Sequence, residues 1–251
     1  MKFSTIISGL NFPEGPVFDF EGNLWFVEIK SRNLSRWNGN ELTRFTVDGT
    51  PNGAMFSKDG SLWFCDSGRG EIRMFDPKTK VLKMVCNSTE DGRPLVRPND
   101  LIFDLAGNLL FSDHADGREN PFSIICVLPK GSSQARIISS GKYFTNGLAL
   151  ASDAKTLIFA ETYRQQLWTA QWDQDHLQLL GERHFAKAGN GPWGPDGMAF
   201  DIHENLFVAV FNESQINVYS KGGELIRSLP CPGTRPTSCS FDPFGRLGLV
   251  V

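Results

Sequence analysis

Pro13-Glu14-Gly15-Pro16-Val17-Phe18-Asp19-Phe20-Glu21-Gly22-Asn23-Leu24-Trp25-Phe26-Val27-Glu28 holds two short apolar runs, Val17 to Phe20 and Leu24 to Glu28, joined by a tight polar turn. Such a stretch reads as a β-hairpin. The same order of parts returns along the whole chain: a turn usually marked by proline, a polar residue, a small apolar strand, a Gly- or Asn-containing turn, and a second apolar strand. Its six copies begin at Pro13-Glu14-Gly15, Pro51-Asn52-Gly53, Pro98-Asn99-Asp100, Thr145-Asn146-Gly147, Pro195-Asp196-Gly197 and Pro236-Thr237-Ser238.

Two more strand-like runs follow most copies, such as Glu71 to Phe75 with Val81 to Val85, and Ile216 to Tyr219 with Glu224 to Leu229. The unit is therefore four strands, repeated every roughly 40 to 50 residues, which is the period of a β-propeller blade. The expected fold is all-β: one six-bladed β-propeller of four-stranded blades, spanning residues 1–251 as a single domain. Lys2 to Leu10 reads as an outermost strand that closes the ring by completing the sixth blade. Val251 directly follows the second strand of that blade, so the last blade reads as incomplete, as in a truncated chain. Longer loops are expected at Asp116 to Pro121 and at Gly189 to Gly194. No stretch has the amphipathic period that demands a helix.

The composition excludes several classes. The 251 residues carry a formal net charge of −3 and show no Lys/Arg cluster, which gives no reason to expect nucleic acid or a membrane surface. No apolar run reaches the length of a membrane span, and Met1 to Leu10 lacks a signal-peptide core. The five cysteines are odd in number and lack zinc-site spacing, so they read as free thiols of a reduced, cytoplasmic protein.

The chemistry lies in the polar slot of the repeat, which reads Glu14, Asn52, Asn99, Asn146, Asp196 and Thr237. Arranged round an axis, these side chains converge, and a converging ring of hard oxygen donors suits a divalent cation such as calcium or magnesium. A histidine-free ring makes a catalytic zinc site less natural. The last residues of the second strands, Glu28, Asp66, Asp113 and Glu161, reach the same face and read as further acids of the mouth. The competing reading is that polar residues before a strand bond backbone amides; it suits Asn52, Thr237 and Asp66. His114 either lines a substrate pocket at the mouth or is an exposed loop residue. Trp193 either stacks on a substrate or packs its own loop. His176, His184 and His203 read as surface residues, and Ser112 has no histidine partner for a nucleophilic triad.

Phe12-Pro13-Glu14-Gly15-Pro16, Arg97-Pro98-Asn99-Asp100, Thr145-Asn146-Gly147-Leu148-Ala149 and Gly194-Pro195-Asp196-Gly197-Met198 stand in order, one per blade. Together they resemble the SMP-30/gluconolactonase/luciferin-regenerating enzyme (regucalcin-like) family over essentially the whole chain. The resemblance implies a six-bladed propeller with one divalent cation in its channel: Ca2+ foremost, with Zn2+, Mg2+, Mn2+ or Fe2+ as alternatives. It implies Glu14, Asn99, Asn146 and Asp196 as metal ligands and Asp196 as the general base. Arg97, with Asn99, matches the substrate-binding positions; His114 is a substrate-binding candidate from its place at the mouth and not from the resemblance. A glutamate that binds sugar in animal members finds Gly117 here. The expected activity is metal-dependent opening of an aldonolactone to an aldonic acid by a monomer. The alternatives are hydrolysis of organophosphates or apolar lactones, or a non-catalytic calcium-binding or protein-binding propeller.

Overall fold

In the computed structural model, which describes residues 3–251, twenty strands form five four-stranded antiparallel sheets and two more form a small sixth one. The first sheet is β1 (Pro13–Phe18), β2 (Leu24–Glu28), β3 (Asn33–Trp37) and β4 (Leu42–Thr46). The second is β5 (Pro51–Phe56), β6 (Leu62–Asp66), β7 (Glu71–Phe75) and β8 (Leu82–Cys86). The third is β9 (Pro98–Phe103), β10 (Leu109–Asp113), β11 (Ser123–Leu128) and β12 (Arg136–Lys142). The fourth is β13 (Thr145–Leu150), β14 (Thr156–Glu161), β15 (Gln166–Asp173) and β16 (Gln178–Lys187). The fifth is β17 (Pro195–Phe200), β18 (Leu206–Val210), β19 (Gln215–Tyr219) and β20 (Leu225–Pro230). The sixth pairs only β21 (Ser240–Phe241) with β22 (Leu249–Val250). The one helical element among the described residues is a 3-10 turn at Thr162–Arg164, and none is long and apolar enough to cross a membrane.

Within each full sheet the strands pair in chain order, because each is joined to the next by a short turn. The turns are self-built. The Asp19 carboxylate accepts the N–H of Asn23 at 2.8 Å, Asp104 that of Asn108 at 2.8 Å and Asp201 that of Asn205 at 2.8 Å. This is the turn that short acidic side chains favour. Strands such as β2, β10 and β18 are buried along their whole length, whereas β4 and β20 are largely exposed. The core therefore lies between sheet faces. Trp25, Leu62 and Phe64 fill one such layer, and Leu101, Phe111 and Ile124 fill the next. Trp25 stacks on Phe45 at 5.6 Å and meets Phe56 edge-on at 5.8 Å. Large flat rings suit the wedge between twisted sheets.

The innermost strands touch one another round the axis through positions that have room for no side chain. A Cβ on Gly53 would meet the backbone of Asp100 at 2.7 Å, and one on Gly147 would meet the Asp196 carbonyl oxygen at 2.2 Å. Between them, Asp100 accepts the Leu148 N–H at 2.9 Å. The ring is completed where Gly197 N–H donates to the Thr237 carbonyl at 2.7 Å and the Thr237 hydroxyl donates to the Pro13 carbonyl at 3.3 Å. Arg246 of the sixth sheet also donates to the Gly22 carbonyl of the first.

Two expectations are corrected. Six four-stranded blades are not present among the described residues: there are five, beside the two-stranded sheet. The closing N-terminal strand does not form either; Lys2 lies outside the described residues, and Phe3 to Leu10 make no strand. The reason is geometric. An outermost strand needs a neighbour about 4.8 Å away, and β22 has no third strand beside it. Phe3 to Leu10 instead lie along the gap through side chains, with Phe3 against the layer of Leu249 and Ile7 and Leu10 against that of Leu24 and Phe26. A cavity of about 600 Å³ remains there, lined by Ile6, Ile7, Phe26, Leu249 and Val250 and reaching Glu14. All five cysteines are free.

Candidate metal centre and channel mouth

The polar slot is aimed by a recurrent irregularity. In β1, three steps from Glu14 to Val17 oppose two from Val27 to Trp25, so one extra residue sits directly after the slot. The same shift falls between Pro51 and Ala54, Thr145 and Leu148, and Pro195 and Met198. A bulge bends the strand and redirects the side chain beside it, here toward the axis.

The six slot residues then divide. Thr237 bonds the Pro13 carbonyl, and Asn52 donates to the Ser67 hydroxyl at 3.3 Å, so both act on neighbouring protein groups. Asn146 donates its Nδ2 to Thr162 Oγ1 at 3.2 Å, and that hydroxyl donates onward to the Pro195 carbonyl at 2.7 Å. This relay turns Asn146 Oδ1 into the site, where it is buried without a partner. An orphaned buried carbonyl calls for a donor or a cation. Glu14, Asn99 and Asp196 are buried as well.

The electrostatics are those of a cage with too much negative charge. Burial raises Glu14 to about 8 against the pull of the Gly15 N–H, and Asp100 adds to the rise. Burial, Glu14 and Asp100 together push Asp196 far above the usual carboxylate range. Carboxylates closed in together stay ionised only if a cation or protons offset them. No group of three or more His, Cys, Asp or Glu able to hold a metal is found among the described residues. The set here combines the carboxylates Glu14 and Asp196 with the amides Asn99 and Asn146, an oxygen-only donor set that fits a hard cation.

Asp100 is the acid that the slot pattern misses. It lines a second cavity of about 330 Å³ together with Gly15, Ala54, Leu148, Met198 and Ser238. Besides Leu148 it accepts the Leu101 N–H at 2.9 Å. Burial lifts it to about 6. The signal was available, since the position after the slot is glycine or serine in every other copy.

The second acidic set does not line the mouth. Glu28 accepts the Asn11 N–H at 2.9 Å, Asp66 that of Thr50 at 2.8 Å, Asp113 that of Val96 at 2.8 Å and Glu161 that of Tyr143 at 2.7 Å. Each thus clamps the loop leading into its own blade's first strand. Glu28 also takes Ser35 Oγ at 2.8 Å and Arg44 Nε at 2.6 Å; burial would raise it, but these partners outweigh that and hold it low. Glu28→Ala should destabilise the protein by about 2–3 kcal/mol, most of it from the stranded Asn11 and Ser35 groups because Arg44 is partly exposed. Urea denaturation would register this as a lower midpoint, and an unchanged midpoint would refute the clamp.

At the mouth, Arg97 is exposed, while its backbone N–H is tied to Asp113 at 2.9 Å. His114 is not an exposed loop residue. It is buried, stacks on Phe144 with centroids 4.0 Å apart, and lies within hydrogen-bond distance of the Ala115 carbonyl through Nδ1 at 3.0 Å. Burial lowers it to about 4, so the ring is neutral at physiological pH. Trp193 packs on Tyr163 and Phe211, and His176, His184 and His203 are exposed as expected.

The raised carboxylates carry a pH signature for protein stripped of cations. Folded Glu14 keeps a proton up to about 8 that an unfolded glutamate releases near 4.5. Stability from this source is therefore complete below about 4.5 and is lost as pH rises through 8. The chelated protein should melt at progressively lower temperature from pH 5 to pH 8, and a saturating divalent cation should remove the decline. A flat or rising melting temperature in chelator would contradict the buried pair.

Antiparallel sheets set round an oxygen-lined axial channel define a β-propeller with a candidate cation site at one mouth. The profile of the SMP-30/gluconolactonase/LRE-like region matches residues 12–247, and the chain belongs to that family. It is 26% identical to a diisopropyl-fluorophosphatase of Loligo vulgaris over 96% of this chain and 85% of that protein. It is 26% identical to the lactonase drp35 of Staphylococcus haemolyticus, over 54% of this chain but only 42% of the lactonase. Among solved structures, a gluconolactonase from Xanthomonas campestris superposes with a TM-score of 0.85 at 24% identity, covering 96% of this chain and 83% of that one. The calcium-binding protein regucalcin from Agrobacterium tumefaciens superposes at 0.81 with 20% identity over 94% and 79%. These two likenesses concern the fold.

Proposed function

We propose that the chain is a divalent-cation-dependent hydrolase that opens a lactone ring. The observation that carries this reading is the buried Glu14–Asp196 pair with the unpartnered Asn146 Oδ1 between neighbouring blades. Glu14, Asn99, Asn146 and Asp196 would hold the cation, with Ca2+ the first candidate. When bound it supplies Lewis-acid polarisation of an acyl oxygen. Thr162 holds Asn146 in the amide orientation that presents oxygen. Asp196 is the base that takes a proton from the attacking water and returns it to the leaving ring oxygen. Names borne by relatives, lactonase and gluconolactonase, support the reaction class.

An aldonolactone is the substrate that the family resemblance and exposed Arg97 suggest. A second reading, an apolar cyclic ester or a phosphoester, is favoured by Gly117. A Cβ there would sit 2.2 Å from Ser123 Oγ and 2.7 Å from the His114 carbonyl oxygen, so no sugar-binding side chain fits that position. The diisopropyl-fluorophosphatase relative agrees with that direction. The test is proton release on a panel of lactones by protein stripped with chelator and then reloaded with single cations. Turnover should vanish on stripping and return with the cognate ion. Turnover that survives stripping, or none on any lactone with the ion bound, would overturn the proposal.

A further inference from the structure

One side of the mouth is a continuous wall of aromatic rings. From His114, the chain of ring contacts passes to Phe144 at 4.0 Å, Tyr163 at 5.1 Å, Trp193 at 5.2 Å and Phe211 at 5.4 Å. These residues lie in loops adjoining the third, fourth and fifth sheets, next to the slot motifs in the chain or in strand pairing. Phe144 precedes Asn146 by two residues and Trp193 precedes Asp196 by three; Tyr163 follows the Thr162 that orients Asn146. Phe211 follows Val210, which pairs with Pro195. On the second sheet Thr50, two residues before Asn52, and Ser67, directly after Asp66, stand where the fourth and fifth sheets carry Phe144 and Phe211, whereas Phe12 of the first sheet matches Phe144.

The wall is held in advance. Phe144 N–H donates to Ser123 Oγ at 2.9 Å, Phe211 N–H to the Gly194 carbonyl at 3.1 Å, and Gly191 N–H to Glu213 Oε1 at 3.2 Å. Exposed Arg118 crowns it, with its guanidinium carbon 5.9 Å from the Phe144 and Tyr163 centroids and 5.8 Å from that of Trp193. Arg118 takes part in none of the ion pairs among the described residues.

We infer that Phe144, Tyr163, Trp193 and Phe211, capped by Arg118, form the specificity subsite, and that the substrate it selects is a lactone fused to or bearing a planar aromatic ring. The inference rests on the lactonase reading and names its substrate class. A planar ring gains edge and face contacts with such a wall and lies beside the guanidinium. The hydroxyls of a sugar lactone would lose water against π faces that offer no strong acceptor. For a benzo-fused lactone, water adds to the acyl carbon and the acyl–oxygen bond breaks. The phenolic oxygen takes one proton and the new carboxylic acid ionises, releasing the other.

The test compares 2-coumaranone, a benzo-fused lactone, with D-glucono-1,5-lactone on cation-loaded protein. The wild type should show a kcat/KM at least tenfold higher for 2-coumaranone. Trp193→Leu and Phe144→Leu, with fold checked by circular dichroism, should each lower the ratio of the two kcat/KM values about tenfold through KM, the size of one lost ring contact. A preference for the saturated lactone, or variants that leave the ratio unchanged, would overturn the subsite. A second arm is independent of turnover: calorimetric titration of 2-coumaranone into the inactive Asp196→Asn protein. Binding that weakens about tenfold on adding Trp193→Leu supports the subsite even if no lactone is hydrolysed, whereas absence of binding refutes it. Failure of turnover on both lactones with the titration positive would sink the lactonase reading and leave the aromatic subsite standing.

Discussion

Asp196→Asn should lower cation-dependent lactone turnover by about 10²- to 10⁴-fold, the range spanned by loss of a positioned general base. In the absence of cation, the same substitution should make the protein more stable at pH 8. The two effects have one origin. Asp196 is closed into the channel with Glu14 and Asp100, and burial and their charges disfavour its ionised form there. Asparagine keeps the volume and removes the charge, so the electrostatic penalty of the empty cage falls while the proton acceptor is lost. Initial rates with saturating cation and calorimetric melting in chelator check both halves. A variant that loses activity and is also less stable at pH 8 without cation would show that Asp196 acts as a structural hydrogen-bonding residue.

Gly147→Ala should be strongly destabilising and should disturb the channel as well. The added Cβ would lie 2.2 Å from the Asp196 carbonyl oxygen and 2.7 Å from the Gly197 Cα, both backbone atoms of the next blade. Neither can rotate away, so the fourth and fifth sheets must separate at the axis. Overpacking of this kind typically costs 1–3 kcal/mol and more where backbone is the obstacle. The shift also carries Asn146 and Asp196, on either side of the contact, out of register with each other. A melting temperature lower by several degrees is expected, with cation affinity reduced tenfold or more by calorimetric titration. Wild-type affinity in a stable Gly147→Ala protein would mean that the inner strands are not held at backbone contact.

The hairpin repeat was legible because each copy carries its own turn chemistry, such as Asp19 closing on Asn23, and its own apolar runs. The slot was legible for the same reason: Glu14, Asn99, Asn146 and Asp196 occupy one position of a repeat, and a repeat becomes a ring. Sequence could not show which way the end of each second strand points. Glu28, Asp66, Asp113 and Glu161 are near the mouth in register, yet their side chains turn back to the entering loops. The sixth blade fails where a strand needs a partner that the pattern of Phe3 to Leu10 alone cannot supply. Asp100 was hidden by its neighbour Asn99, which drew the reading of that motif. The aromatic wall is assembled from loops whose separations along the chain, from His114 to Phe211, carry no local period at all.

The four loop clamps have a consequence for how such a mouth can diversify. Each entering loop is fastened by a carboxylate belonging to its own blade, through backbone N–H groups that every residue except proline possesses. The fastening is therefore blind to the side chains that the loop displays. A lineage could exchange Phe12, Arg97 or Phe144 on these loops for quite different groups and leave the buried Glu14–Asp196 cluster standing. Selection for a new ligand would then act on the rim as on an interchangeable fitting, while inheritance of the buried polar cluster is secured one layer beneath it.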